Sequence, residues 1–496
     1  MIISVSAVLF IDIHTKSMYI STLFHKKDVF MDGQDLTKGS IPKQLWTLSW
    51  PMMLTMFFYT LYNLVDSYWV GKISSEAFAA VGLSQISLFV MISLGFGITV
   101  GSGVIMAMHI GAKEKDEAER VLGQSFVLSA LLAVFFTVLS LTFREEFLTM
   151  SGASGTIFNP AMDYFTIVSS GSVLLFVMMA IMLAYNSQGD TATLTKLFAL
   201  STAINMILDP ILIFGWGGFP ALGISGAAYA TLVSQSVFIG VAVWSLSRET
   251  RMIRFRFKHL GIKWESVKRV LNIGFPAALT QVIFPLGLAI VANIISLSFA
   301  EEGAIAFNVG FRIEFFAFLP AAGFGMGVMA LIGQNMGAGN ATRTIESFNT
   351  AVKYTFLSAT GLGVIAALFS EPIIYLFTDN PQAVDYAKTY IYSVTLSYGF
   401  LATLMVEANS FQSIDKAWPG FWLFLLRVGG IMIPLCYILT NVYKLPIQYV
   451  WFSVITANVI SSVVGYIWIK GNLVSLLNNS RTEVSVEPTV EPDSVS

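Results

Sequence analysis

Long apolar runs, separated by short polar or glycine-containing segments, dominate the chain. Most runs reach the roughly 20 residues that a helix needs to cross the hydrocarbon core of a bilayer. Several, notably the second and eighth, are longer, so we expect tilted or kinked helices there. The pattern predicts an all-α polytopic membrane protein with twelve transmembrane helices. The predicted spans are 45–70, 76–108, 120–143, 161–186, 193–215, 225–246, 268–299, 303–336, 345–369, 384–411, 417–440 and 446–470.

Composition supports a surface that faces lipid. Only 12% of the 496 residues are charged and 55% are hydrophobic, whereas a soluble globular domain has about 25% charged residues. The single cysteine, Cys436, excludes an internal disulfide and a thiolate metal cluster. The net charge of −2 gives no indication of nucleic acid binding. We therefore expect membrane lipid as a partner, no nucleic acid partner and no cofactor.

Basic residues predict the orientation. The connection between the sixth and seventh spans holds eight lysines and arginines between Arg248 and Arg269. Cationic loops remain on the cytoplasmic side. We therefore expect a multi-pass protein of the cell membrane with both termini in the cytoplasm.

The two halves of the chain repeat each other. Pro51 matches Pro276 at an offset of 225, and Gly111 matches Gly337 at an offset of 226. Six helices per half give parallel repeats, an arrangement found in alternating-access transporters. We expect a monomer with two six-helix lobes. The predicted divisions are a cytoplasmic extension (1–44), an N-terminal lobe (45–247), a basic cytoplasmic linker (248–267), a C-terminal lobe (268–471) and a disordered tail (472–496).

Two acids fall inside apolar spans, Asp66 in the first and Asp209 in the fifth. A charge at such depth is costly, and a chain that keeps one generally uses it to bind a proton, a cation or a charged substrate. Asn205 lies four residues before Asp209 and therefore on the same helix face. Two carboxylates placed close together repel each other, which favours proton binding by one of them.

Several segments resemble the multidrug and toxic compound extrusion (MATE) family. The motifs are YNLVDSYWVG, the run from GDTATLTK to GISGAAYAT, AFNVGFRIEFFAFLPAAGFG and LIGQNMGAGN. The likeness covers about residues 40–470. It implies two lobes that export cationic and amphipathic compounds in exchange for Na⁺ or H⁺.

The resemblance also assigns residues. It implies a cation- or proton-coupling site that consists of Asp66, Asp209, Asn205, Tyr62 and Thr231. Oxygen ligands from Asp66, Asp209 and Asn205 would suit Na⁺. Pro51 lacks the N–H of the helical ladder and is expected to bend the first helix. Residues considered for a substrate cavity are Tyr59, Asn63, Thr202, Met206 and Glu407.

Acids that some branches of the family carry in the second lobe are replaced here by Phe284 and by a residue near Phe400. Coupling is therefore expected in the first lobe alone, as in DinF-type and archaeal members.

Other charged residues leave alternatives open. We expect Asp190 and Asp415 to cap helices at cytoplasmic loops. Arg312 is expected to pair with Glu314 or another neighbour, with a position in the cavity as the alternative. Glu407 is either an additional acidic site or the partner of a residue such as Arg427; the structural partner is the favoured reading of the two.

The sequence thus predicts a secondary active multidrug efflux antiporter for small amphipathic cations. The alternative is a lipid-linked oligosaccharide flippase of the same wider superfamily, which would carry cationic residues in its cavity. An enzyme is not expected, because the spans contain no HExxH or GxSxG motif.

Overall fold

The chain forms a bundle of helices. The computed structural model describes residues 33–486, with side chains up to residue 478 except those of 87, 90, 94, 98 and 315–317. The α-helices are α1 (Ile41–Gly71), α2 (Ser75–Gly111), α3 (Lys115–Thr142), α4 (Arg144–Met150), α5 (Phe158–Ser170), α6 (Ser172–Ser187), α7 (Thr191–Phe214), α8 (Ile224–Leu246), α9 (Trp264–Gly337), α10 (Ala341–Leu368), α11 (Ser370–Ile374), α12 (Pro381–Val394), α13 (Tyr398–Ser413), α14 (Trp418–Leu425), α15 (Ile433–Tyr437), α16 (Ile447–Val450) and α17 (Phe452–Val486). Two π-helical stretches, Leu426–Met432 and Ile438–Val442, flank α15.

The predicted all-α polytopic fold is confirmed. Within residues 33–486, nine helices are long and apolar enough to cross a membrane, and a tenth span is formed by α5 and α6, which meet at an angle of 52°. This number treats α9 as a single helix and does not include α1. When α9 is divided at its break and α1 is included, each of the twelve predicted segments overlaps one helix or one group of successive helices.

The break in α9 lies at Phe299 and Ala300. Ala300 adopts a positive φ of 53°, which is uncommon for a residue with a side chain, and the chain reverses there between the predicted seventh and eighth spans. The predicted disordered tail is wrong for residues 472–486, because α17 continues to Val486. Leu473 in this part is buried. Residues 1–32 of the predicted extension and residues 487–496 lie outside the described part.

We call the end of the bundle that contains residues 247–263 the linker side, and the opposite end the far side. On the linker side, α2 crosses the second half of α9 at two glycines. A Cβ added to Gly111 would lie 1.8 Å from the carbonyl oxygen of Gln334, and one added to Gly337 would lie 1.8 Å from that of Met108. Both pairs are related by the 226-residue offset. The repeat therefore produces a reciprocal backbone contact between the lobes.

A second pair of contacts follows the same symmetry. Gly97 of α2 lies against Gly274 of α9, and Gly323 of α9 lies against Ser49 of α1. All four positions belong to the linker-side halves of their helices. Ile86 lies eleven residues before Gly97 in α2 and is 58% exposed. Eleven residues are about three helical turns, so Ile86 and Gly97 lie on the same face of α2. This face packs against α9 at Gly97 but is exposed at Ile86. The lobes therefore separate toward the far side.

The segment before α1 crosses the linker side and contacts both lobes. The backbone N–H of Gln34 donates to the carbonyl of Gln188, and that of Leu36 donates to Oε1 of Gln334. Arg343 donates to the carbonyl of Leu36. The linker is also packed: Arg251 is buried and pairs with Asp190. These contacts close the linker side in this conformation.

Candidate functional site

The two acids of the first lobe are both buried. Asp66 lies in α1 and Asp209 in α7, each in the half of its helix nearer the far side, with exposed fractions of 2% and 0%. Asp190 caps the start of α7, where its carboxylate accepts from the backbone N–H of Thr193, and Gly215 caps the end in the left-handed conformation. These caps define where α7 begins and ends.

The acids have few hydrogen-bond partners. Nδ2 of Asn205 donates to Oδ1 of Asp209 at 3.1 Å. Within the described residues, Oδ1 of Asp66, Oδ2 of Asp209, Oδ1 of Asn205 and the hydroxyl of Tyr62 are buried without a partner. Buried polar atoms are nearly always hydrogen-bonded. Four oxygens on two adjacent helices are therefore available for a further hydrogen bond or ligand contact.

Hydroxyl groups complete the surroundings of the acids. The Tyr62 hydroxyl lies beside the hydroxyls of Thr231 and Ser234 of α8 and near both carboxylates. The two carboxylates are close enough to repel each other when both are charged. The structure thus brings together all five residues expected in the coupling site, and the oxygen donors that it offers are those that a hard cation such as Na⁺ accepts.

Sequence reasoning missed Tyr164. This residue of α5 is buried and lies near Asp66, Asp209 and Tyr62. Its only signal in the sequence is a tyrosine inside the predicted fourth span, and nothing in the local pattern indicates which helix it faces. Gln85 and Gln235, which line the cavity beside the acids, were missed for the same reason.

A cavity of about 180 Å³ borders Asp66. Of the residues considered for a substrate cavity, Tyr59, Asn63 and Thr202 line it. Met206, one turn after Thr202 in α7, is not among the lining residues, and its side chain is 37% exposed. Glu407 lies in the second lobe with no exposed surface, and Ser462 donates to it at 3.3 Å. Its position therefore does not support a place in the cavity.

Pro51 contributes an unusual acceptor. Its carbonyl oxygen accepts hydrogen bonds from the hydroxyls of Thr195, at 2.6 Å, and Thr55, at 3.0 Å. The Thr55 and Thr195 hydroxyls also lie 2.9 Å apart. Because Thr195 belongs to α7, the proline, which lacks an N–H, is held against the helix that carries Asp209.

In the second lobe, Glu314 pairs with a neighbour other than Arg312, and the expected pairing of Glu407 with Arg427 is wrong. Glu314 lies 3.7 Å from Arg427, not next to Arg312, and accepts from the hydroxyl of Tyr390 at 2.7 Å. Arg427 also donates to Asn458 at 2.8 Å, and among the described residues the hydrogen-bond donor to Glu407 is Ser462 and not Arg427. Residues two apart on a helix point in different directions, which separates Arg312 from Glu314.

The two loop aspartates differ from each other. Asp190 caps α7 as expected and also pairs with the buried Arg251. Asp415 caps no helix; it has a φ of 63° and accepts from Arg269 at 2.8 Å. Its capping prediction is wrong because α14 begins three residues later, at Trp418.

A duplicated helical lobe with acids buried inside its spans is typical of membrane transporters. A family model named MatE matches residues 51–211 and 276–438, once in each half. The chain belongs to this family of membrane transporters.

Relatives cover nearly the whole chain. A probable multidrug resistance protein NorM of Thermotoga maritima is 26% identical over 85% of this chain and 91% of its own length. An FAD transporter of Shewanella oneidensis is 27% identical over 82% of this chain and 89% of its own. A solved outward-facing multidrug resistance MATE transporter superposes with a TM-score of 0.84 at 25% identity, covering 90% of this chain and 99% of that structure.

Proposed function

We propose that the protein is an antiporter that exports small amphipathic compounds in exchange for H⁺ or Na⁺, coupled through Asp66 and Asp209. The linker side would face the cytoplasm, because the basic linker lies there. The observation that carries the proposal is the set of four unpartnered buried oxygens around these two acids.

The physical reason is the cost of buried charge. Two carboxylates in a medium of low dielectric constant are stable together only when a proton or a cation compensates them. Asn205, Tyr62, Thr231 and Tyr164 supply neutral oxygens around this compensating ion. The transported ion is therefore cargo of the site, and its loss leaves a state that the apolar surroundings disfavour.

The cavity provides the link to substrate. Its wall includes Asp66 together with Tyr59, Asn63 and Thr202. A cationic amphipathic compound that enters here would compete with the ion for the same carboxylate. Binding of the ion from the far side would then favour release of the compound, which is the exchange that an antiporter requires.

Pro51 would convert this event into a helix movement. It lies fifteen residues before Asp66, about four turns along α1, and interrupts the backbone ladder there. We propose that α1 bends at Pro51 when the charge at Asp66 is neutralised. Replacement by alanine should reduce export while the protein remains inserted in the membrane.

The relatives suggest which compounds to try. They include proteins named for multidrug resistance and one named as an FAD transporter. Ethidium, an aromatic cation, represents the first group, and a flavin represents the second. We expect export of at least the cationic compound.

Reconstituted vesicles test the coupling. Ethidium transport would be measured with Na⁺ and pH gradients imposed separately, for the wild type and for Asp66→Asn and Asp209→Asn. We expect one gradient to drive wild-type transport and each variant to lose at least tenfold of the driven rate. Asp163→Asn is a matched control, because Asp163 is exposed on α5 beside Tyr164.

Each outcome of this experiment distinguishes one explanation from the others. Driven exchange at the wild-type rate in both aspartate variants would disprove coupling through these acids. A loss that Asp163→Asn shares would point to a general effect of removing a carboxylate. Transport that follows neither gradient would refute the antiport mechanism itself.

A further inference from the structure

We propose that the second lobe carries a binding site for the anionic group of an aromatic substrate, with Arg312 as the charged contact. The inference rests on the proposed export function and adds a substrate class to it. The site is a pocket of about 360 Å³ on the far-side half of α9. Its walls include Arg312, Asn308 and Glu301 of α9 and Leu376 and Phe377 after α11.

The pocket faces the first lobe. Arg312 precedes Gly323 by eleven residues in one helix, which is about three turns plus 20° of rotation and about 16 Å of length. Gly323 lies against Ser49 and Met53 of α1. Arg312 therefore projects from the face that contacts the first lobe, at a level where the lobes have parted, and it is exposed there. This places the guanidinium in the cleft between the lobes.

Its charge has no carboxylate partner among the described residues. The nearest acid in sequence, Glu314, is occupied by Arg427 and Tyr390. Glu301 is eleven residues away along α9, about 16 Å toward the far side. Arg312 lies about three turns from the far-side end of this half of α9, inside the predicted eighth span. A charge at that depth that lacks a partner marks a functional site by default.

The chemistry of the pocket selects its ligand. The guanidinium lies 5.3 Å from the ring centroid of Phe377, whose side chain is 45% exposed. A guanidinium offers a planar fork of donors that fits carboxylate and phosphate, while the exposed ring offers a surface for aromatic stacking. A planar aromatic compound with a carboxylate or phosphate group matches both features, and the volume is within the range of small-molecule pockets.

Two flavins that differ only in a phosphate test this pairing. Binding of flavin mononucleotide and of riboflavin would be measured by flavin fluorescence on the purified full-length protein, with ethidium as a cationic probe. The variants are Arg312→Gln, Arg312→Lys and Phe377→Leu. Arg144→Gln is the matched control, because Arg144 is also an exposed far-side arginine but starts α4 outside the cleft.

We expect the wild type to bind flavin mononucleotide at least tenfold more tightly than riboflavin. Arg312→Gln should abolish this preference, Arg312→Lys should retain part of it, and Phe377→Leu should weaken both flavins equally. Ethidium binding should not weaken in Arg312→Gln, because the change removes a positive charge from the cleft, and Arg144→Gln should behave as the wild type.

Equal binding of the two flavins by the wild type would overturn the proposal, and so would an unchanged preference in Arg312→Gln. The proposed antiport function has a separate test. It is refuted if neither ion gradient drives ethidium in the vesicle assay, whatever the flavins show.

Discussion

The reciprocal crossing of α2 and α9 makes a prediction about the balance between conformations. Alanine at Gly337 would place its Cβ 1.8 Å from the carbonyl oxygen of Met108, whereas ordinary contacts begin at 3.4 Å. The helices must therefore separate by about the difference, 1.6 Å. Backbone lies on both sides of this contact, so no side-chain rotation relieves it.

Overpacking of this kind costs about 1–3 kcal/mol. The cost falls on the conformation that is closed on the linker side, because the two helices touch at both glycines in it. The equilibrium should therefore shift by about 5- to 150-fold toward conformations in which the linker side is open. Gly111→Ala should have the same effect, since its added Cβ meets the carbonyl oxygen of Gln334 at the same 1.8 Å.

The rate of thiol labelling measures this shift. Ser49 is fully buried beside Gly323 and Gly327, so a cysteine there reacts only when the lobes separate. Ser49→Cys would be introduced with Cys436→Ser and labelled by a maleimide in detergent-solubilised protein. Labelling should be about 5- to 150-fold faster when Gly337→Ala is added.

Gly361→Ala is the control, because nothing lies within 4 Å of a Cβ added to that glycine. If Gly337→Ala labels within twofold of the Gly361→Ala control while both fold and insert, the crossing does not hold the linker side closed. The reasoning from the glycine contact would then be refuted.

Three further predictions concern single contacts. Arg251→Met leaves the charge of the buried Asp190 uncompensated and should reduce the free energy of unfolding by about 3–5 kcal/mol, which thermal unfolding measures. Adding Asp190→Asn removes that charge and should restore stability; a double variant no more stable than Arg251→Met alone would contradict this explanation. Thr195→Val removes the 2.6 Å hydrogen bond to the Pro51 carbonyl and should cost about 0.5–1.5 kcal/mol; an unchanged melting temperature would show that the bond is not stabilising. Tyr164→Phe removes a hydroxyl near both site carboxylates and should weaken ion dependence of transport several-fold without changing stability; equal ion dependence would exclude a role for this hydroxyl.

Much of the fold could be predicted from the sequence because bilayer thickness fixes the length of each span. The turn near residue 300 was placed correctly between 299 and 303 for this reason. The prediction for the tail follows its polar composition, whereas Leu473 is buried in the bundle and α17 continues past it to Val486. Burial of single residues overrides composition at such ends.

The part of the site that lies on a single helix could be predicted from the sequence. The spacing of Asn205 and Asp209 predicts a shared face, and their hydrogen bond is present. Partners from other helices carry no such signal. Glu314 pairs with Arg427, more than a hundred residues away, instead of Arg312, two residues away, because packing between helices decides which charges meet. Tyr164 was missed for the same physical reason.

The crossing of α2 and α9 has a consequence for the origin of the chain. Gly111 meets the residue stretch that contains Gln334, and Gly337 meets the equivalent stretch that contains Met108. A contact in which each partner presents the same patch to the other is the pattern of an isologous interface in a two-fold dimer. Parallel repeats have the relation that two identical six-helix proteins, inserted in the same direction, would have in such a dimer. On this view the cleft between the lobes began as a subunit interface, and fusion of the two copies allowed one half to keep the acids while the other acquired Arg312.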